Sequence, residues 1–131
     1  MNRLRVFAVV LLASSIVYGQ THPEKKREPE MVLVTFQVRA DQTKRLAQVI
    51  SEAWATYVRL GMVRRDLHLV LKNSDEKGNT TIFEIFRWKD SSVPDNASPE
   101  VRKLWSEMEG LCEKRAGQPE INFQEVEPIS H

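Results

Sequence analysis

Asp66-Leu67-His68-Leu69-Val70-Leu71-Lys72, followed by Asn73-Ser74-Asp75-Glu76-Lys77-Gly78-Asn79 and then Thr80-Thr81-Ile82-Phe83-Glu84-Ile85-Phe86-Arg87-Trp88, reads as one β-hairpin. In the first arm Leu67, Leu69 and Leu71 fall on one face by the two-residue strand period. The return arm is rich in β-branched and aromatic residues, the types that fit a pleated surface. Between them Gly78 suits the left-handed position of a turn with a bulge. Pairing Asp75 with Asn79 sets His68 opposite Phe86 and diagonal to Glu84; a slip of one residue on both arms sets His68 opposite Glu84 instead. In either register His68, Val70, Glu84, Phe86 and Trp88 share the face that the three leucines avoid. That face is too apolar for open water and too polar for a plain core, so any chemistry is expected there.

The flanking segments supply the remaining elements. Met31-Val32-Leu33-Val34-Thr35-Phe36-Gln37-Val38-Arg39 alternates as a strand, with Val32, Val34, Phe36 and Val38 on one apolar face and Leu33, Thr35 and Gln37 on the other. Asp41 is expected to cap a helix in which Leu46, Val49, Ile50, Ala53, Trp54, Tyr57 and Val58 form an apolar stripe and which Gly61 ends. At that spacing Trp54 and Tyr57 read as core. After the hairpin, a polar loop centred on Val93-Pro94 leads to Ser98-Pro99, an N-cap followed by proline at the first helical position. The second helix carries Val101, Leu104, Trp105, Met108, Leu111 and Cys112 on one stripe, with Gly110 inside it as an allowance for close packing. Ile121-Asn122-Phe123-Gln124-Glu125-Val126 reads as a last strand.

The order strand, helix, strand, strand, helix, strand predicts an α+β, ferredoxin-like βαββαβ fold: a four-stranded antiparallel sheet with both helices on one face. The helices are expected to cover Val32, Val34, Phe36, Val38, Leu67, Leu69, Leu71, Phe83 and Ile85. Leu33, Val70, Ile82, Phe86 and Trp88 are then left on an open face. A patch of that size implies a partner, most simply a homodimer through the open sheet face that closes a pocket.

The N-terminus stands apart. Met1-Asn2-Arg3-Leu4-Arg5 is a basic n-region, Val6 to Val17 an apolar h-region, and Val17 and Gly19 suit a cleavage site before Gln20. The apolar run is shorter than the roughly 20 residues a membrane-spanning helix needs. Residues 1–19 therefore read as a signal peptide, residues 20–30 as a flexible tether with Pro23 and Pro29, and residues 31–128 as the folded domain. The mature protein is expected to be exported, periplasmic or secreted, with no stable membrane anchor. Asn79-Thr80-Thr81 and Asn96-Ala97-Ser98 are glycosylation sequons, relevant only in a eukaryotic source.

Composition narrows the classes of partner. A chain of 131 residues with 41% hydrophobic and 28% charged residues and a formal net charge of +1 gives no electrostatic reason to expect nucleic acid. Cys112 is the lone cysteine and lies on a helical stripe, so a buried inert thiol is expected. His22, His68 and His131 are the only histidines, and no two make a local metal motif. No metal and no cofactor are expected.

From Met31 to about Glu127 the chain resembles the antibiotic-biosynthesis-monooxygenase-like family of dimeric α+β barrels. The likeness rests on Met31-Val32-Leu33-Val34-Thr35-Phe36, on Phe83-Glu84-Ile85-Phe86-Arg87-Trp88-Lys89-Asp90, and on Ile121-Asn122-Phe123-Gln124-Glu125-Val126. It implies a homodimer with a ligand cavity and, in some members, oxidation of polycyclic phenols by molecular oxygen with no metal or flavin; others degrade haem. Many members carry a histidine on the second helix or the loop before it. Lys89 to Arg115 holds none, which removes an axial ligand for the haem-degrading activity.

A cofactor-independent oxygenase needs a base of near-neutral pKa at a phenolic hydroxyl and aromatic walls around a flat substrate. His68 is the candidate base and Glu84 its orienting partner. Thr35 and Gln37 are candidates to bond substrate oxygens, Val70, Phe86 and Trp88 to line the site, and Val93-Pro94 to cover its entrance. Each residue also has a plainer reading. His68 with Glu84 is a cross-strand polar pair worth about 0.2–1 kcal/mol, and the aromatic and polar residues can fill a dimer interface. The alternative is thus a non-catalytic ligand-binding or structural homodimer of the same fold.

Overall fold

The computed structural model describes residues 28–130; the expected signal peptide, residues 20–27 of the tether, His22 and His131 lie outside the described residues. The chain runs β1 (Glu30–Val38), α1 (Thr43–Arg59), β2 (Val63–Ser74), β3 (Thr80–Trp88), a short 3-10 turn (Pro94–Asn96), α2 (Pro99–Gly110) and β4 (Ile121–Glu125). The strands form one sheet in the order β2-β3-β1-β4 with every neighbouring pair antiparallel. This is the ferredoxin-like α+β arrangement the element order predicts.

The hairpin adopts the first of the two registers. The Asp75 amide donates to the Asn79 carbonyl at 3.0 Å, the Gly78 amide donates to the Asp75 carbonyl at 3.0 Å, and Gly78 has φ +84°. His68 lies opposite Phe86, and Val70 opposite Glu84.

The strand β1 faces the helices with Val32, Val34, Phe36 and Val38 as expected, but the two faces of the hairpin are the reverse of the expected ones. β1 pairs with β3 so that Val32 meets Phe86, Val34 meets Glu84 and Phe36 meets Ile82. Directly opposed residues share a face. The apolar face of β1 is therefore continuous with Ile82, Glu84, Phe86 and Trp88, all buried beneath the helices. Leu33, Phe83, Ile85, Leu69 and Leu71 lie on the outer face, with Leu69 44% and Leu71 47% exposed.

The β1–β3 register sets this sidedness, and an irregularity in β2 brings Val63 to the same side. Val63 pairs with Trp88 and Arg64 with Arg87, then Arg65, Asp66 and Leu67 have no counterpart before His68 meets Phe86. An odd number of inserted residues reverses the in-out alternation. Val63 thus shares the face of His68 and Val70, while the leucine run lies on the outer side. Area favours this solution, because an aromatic ring removes about 150–250 Å² from water and exceeds a leucine. Its cost is a carboxylate, Glu84, inside the core.

The helices close the core. On α1, Leu46, Val49, Ile50, Ala53 and Tyr57 are buried. Asp41 does not cap it: Asp41 sits in the left-handed region at φ 66°, and Gln42 occupies the N-cap with no side-chain bond. Gly61, at φ +69°, does end it, letting the Met62 amide turn back onto the Tyr57 carbonyl at 2.9 Å. On α2 the Ser98 hydroxyl accepts from the Val101 amide at 3.3 Å and Pro99 opens the first turn, as expected. Gly110 is the last residue of α2 and open space surrounds it, so it serves no close packing.

Candidate functional site

Under the middle of α1, β2 and β3 bring together the candidate acid–base pair. His68 Nε2 and Glu84 Oε2 are 2.8 Å apart. The Glu84 side chain is 3% exposed and that of His68 21%. Burial pushes the Glu84 carboxyl above its ordinary value, and the hydrogen bond and charge of His68 pull it part of the way back. With Nε2 tied to Glu84, Nδ1 is the ring nitrogen left for a group outside the pair.

A third residue completes the arrangement. The indole of Trp54 lies flat on the His68 ring, centroids 3.8 Å apart and planes 3° from parallel. Phe86 meets Trp54 edge-on at 6.0 Å and Trp88 at 4.7 Å. Tyr57 packs between Phe86 and Trp88 at 5.8 and 5.4 Å. Its hydroxyl accepts from Trp105 Nε1 at 2.6 Å, and burial pushes the phenol up. Trp54 was readable from the sequence only as part of an apolar stripe; its place at the edge of that stripe, where a long ring reaches past the core, was the available signal.

The predicted residues separate into two sets. His68, Glu84, Val70, Phe86 and Trp88 share the inner face, with Val70 41% exposed and Phe86 and Trp88 only 1%. Phe86 and Trp88 are therefore core rings that back the pair rather than walls of an open pocket. Thr35 and Gln37 lie on the outer face, away from His68, because Thr35 pairs with Phe83 and Gln37 with Thr81. Gln37 Oε1 is already engaged, accepting from Thr81 Oγ1 at 3.4 Å and Arg115 Nη1 at 3.2 Å.

Two clefts among the described residues lie elsewhere. One of about 330 Å³ runs between Leu60-Gly61-Met62 and the loop after β3, with Lys89, Val93 and Asn96 in its wall. Another of about 350 Å³ separates α2 from β4 and is lined by Arg102, Trp105, Met108, Ile121 and Phe123. Neither is lined by His68 or Glu84, so Val93 borders a cleft other than the one expected of it.

Cys112 is fully buried, and burial pushes its thiol up to about 12, the state of an inert core cysteine. Among the described residues no three His, Cys, Asp or Glu side chains gather as a metal site, and no helix is long and apolar enough to cross a membrane.

Comparison with solved structures agrees with the topology. The chain is similar to SnoaB, a cofactor-independent oxygenase from Streptomyces nogalater, with a TM-score of 0.59 and 15% identity over 79% of this chain and 96% of that one. It is also similar to Rv0793 from Mycobacterium tuberculosis, with a TM-score of 0.56 and 13% identity over 79% and 98% of the two chains. A conserved protein of unknown function from Bacteroides thetaiotaomicron matches with a TM-score of 0.56 and 10% identity over 76% and 99%. At these identities the likeness shows the fold alone. No protein-family model and no curated protein sequence matches the chain.

Proposed function

We propose that this chain is an exported homodimer whose His68–Glu84 pair takes the proton of a small phenol, which then reacts with molecular oxygen without metal or flavin. The observation that carries the reading is the 2.8 Å bond between a partly exposed imidazole and a buried carboxylate. A base held by a third group is the arrangement general-base chemistry needs. In the reactive state Glu84 is ionised and accepts from Nε2–H, leaving the Nδ1 lone pair free. Taking a proton there converts a pair of net charge −1 into a neutral one, which burial favours. The phenolate is electron-rich enough to meet dioxygen. One oxygen atom enters the ring and the other leaves as water with two hydrogens of the substrate, so that phenol plus dioxygen gives quinone plus water with no external reductant.

Val70 supports an approach from the β2 edge, since it follows His68 on the same face and is half exposed. The outer face suits a second copy: Leu33, Phe83, Ile85, Leu69 and Leu71 form a contiguous apolar field there. Thr35 and Gln37 then belong to the dimer contact rather than to substrate.

The expected result with naphthol- and anthracenol-type phenols under oxygen is quinone formation with equimolar oxygen uptake. His68→Ala, still folded by circular dichroism, should lose about a hundredfold or more. A second reading, a non-catalytic homodimer, is favoured by Trp54 lying over the imidazole. Equal or absent turnover in both proteins would establish it.

A further inference from the structure

We infer that Trp54 is the positioning residue of the pair: its indole, stacked on the imidazole, holds Nε2 on Glu84 and presents Nδ1 outward. The inference rests on His68 as the base, but it concerns the imidazole itself and can be read without substrate.

Packing alone asks for less than the structure provides. β2 is an edge strand, paired only with β3, so nothing from a further strand fixes the ring of His68. The indole covers it at 3.8 Å and 3°, a parallel overlap across the whole imidazole plane. The indole in turn is set by the edge contact with Phe86, at 6.0 Å and 68°. One ring face is blocked and one nitrogen is engaged, which restricts a proton donor to the remaining nitrogen. The π face of an indole also favours a cation laid against it, so the stack stabilises the imidazolium formed when Nδ1 is protonated.

The charged surroundings leave this effect visible. From β3, Glu84 is the titratable group in contact with His68. From α1, the Tyr57 hydroxyl is bonded to Trp105 and senses the Glu84 charge, while Glu52 is exposed and pairs with Arg45 at 3.8 Å. On β2, Asp66 pairs with Arg87 at 3.1 Å, and Arg87 alternates to the outer side of β3.

The test follows the ring nitrogens of His68 by NMR through a pH titration of the whole mature protein. Wild type, Trp54→Phe and Trp54→Leu are compared, and His68→Ala separates its signals from those of His22 and His131. Wild type should carry its neutral-form proton on Nε2. Trp54→Leu should mix the two tautomers. Trp54→Phe, which keeps a ring in the stack, should hold the Nε2 tautomer, and it decides the matter if the leucine variant does not fold. An unchanged tautomer in Trp54→Leu, or full loss of the Nε2 tautomer in Trp54→Phe, would overturn the inference. Shifts in the variants without phenol oxidation by wild type would sink the oxygenase and leave Trp54 in its role. Where turnover is present, Trp54→Leu should lower kcat with KM nearly unchanged.

Discussion

Removing the imidazole should convert Glu84 from a partnered group into a pH-dependent liability. In His68→Ala the carboxyl, 3% exposed in the wild type, loses the hydrogen bond and charge that pull its proton affinity down. The sign follows from proton binding. A group whose folded pKa lies above its unfolded value stabilises the fold fully below the unfolded value, 4.5 for this carboxyl, and loses that contribution as pH rises toward the folded value. Above pH 4.5 the unfolded chain releases the proton while the folded variant tends to keep it, so stability falls as pH rises, by at most about 1.4 kcal/mol per pH unit while one proton separates the two states. A pH-independent loss of about 1–2 kcal/mol from the broken Trp54 stack and the space left behind adds to this. Urea unfolding at fixed protein concentration, followed by tryptophan fluorescence at pH 5, 6 and 7, measures both parts. The wild type should fall less steeply because His68 offsets the charge, and Glu84→Gln should be nearly flat. Parallel stability curves for His68→Ala and wild type across that range would show that Glu84 is not held by His68, and the account of the pair would fail.

Two further outcomes follow from side chains that tie elements together. Arg115 donates to Val38 O at 2.6 Å, Thr80 O at 3.1 Å and Gln37 Oε1 at 3.2 Å, joining the segment after α2 to β1 and β3. Arg115→Ala should cost about 2–3 kcal/mol in urea unfolding by stranding those part-buried acceptors, and an effect below 0.5 kcal/mol would show that water replaces them. Ser98→Ala should cost about 1 kcal/mol by removing the α2 cap, with Ser98→Asp restoring it.

The fold was legible in the chain because each element carries its own local signature: alternation in β1 and β3, a 3.6-residue stripe in α1, a serine–proline start for α2, and Gly78 in the hairpin turn. The His68–Glu84 pairing was legible too, since Asp75 and Asn79 fix the hairpin register. What the chain did not disclose is which side of the hairpin faces the helices. Period-2 reasoning placed the leucines inside and divided the candidate site accordingly, with Thr35 and Gln37 beside His68. Pairing with β1 decided otherwise, because the residues opposite Val32, Val34 and Phe36 must share their burial, and those are Phe86, Glu84 and Ile82. His68, opposite Phe86, was thereby placed inward beneath Trp54, 14 residues earlier in the chain (68 − 54), and the unpaired Arg65-Asp66-Leu67 segment brought Val63 to the same face. Sequence thus determined the elements and their local pairing, where contacts are near in the chain. Tertiary structure decided the face, because the sidedness of a strand is set by the neighbour it hydrogen-bonds to and by the parity of any residues inserted between them.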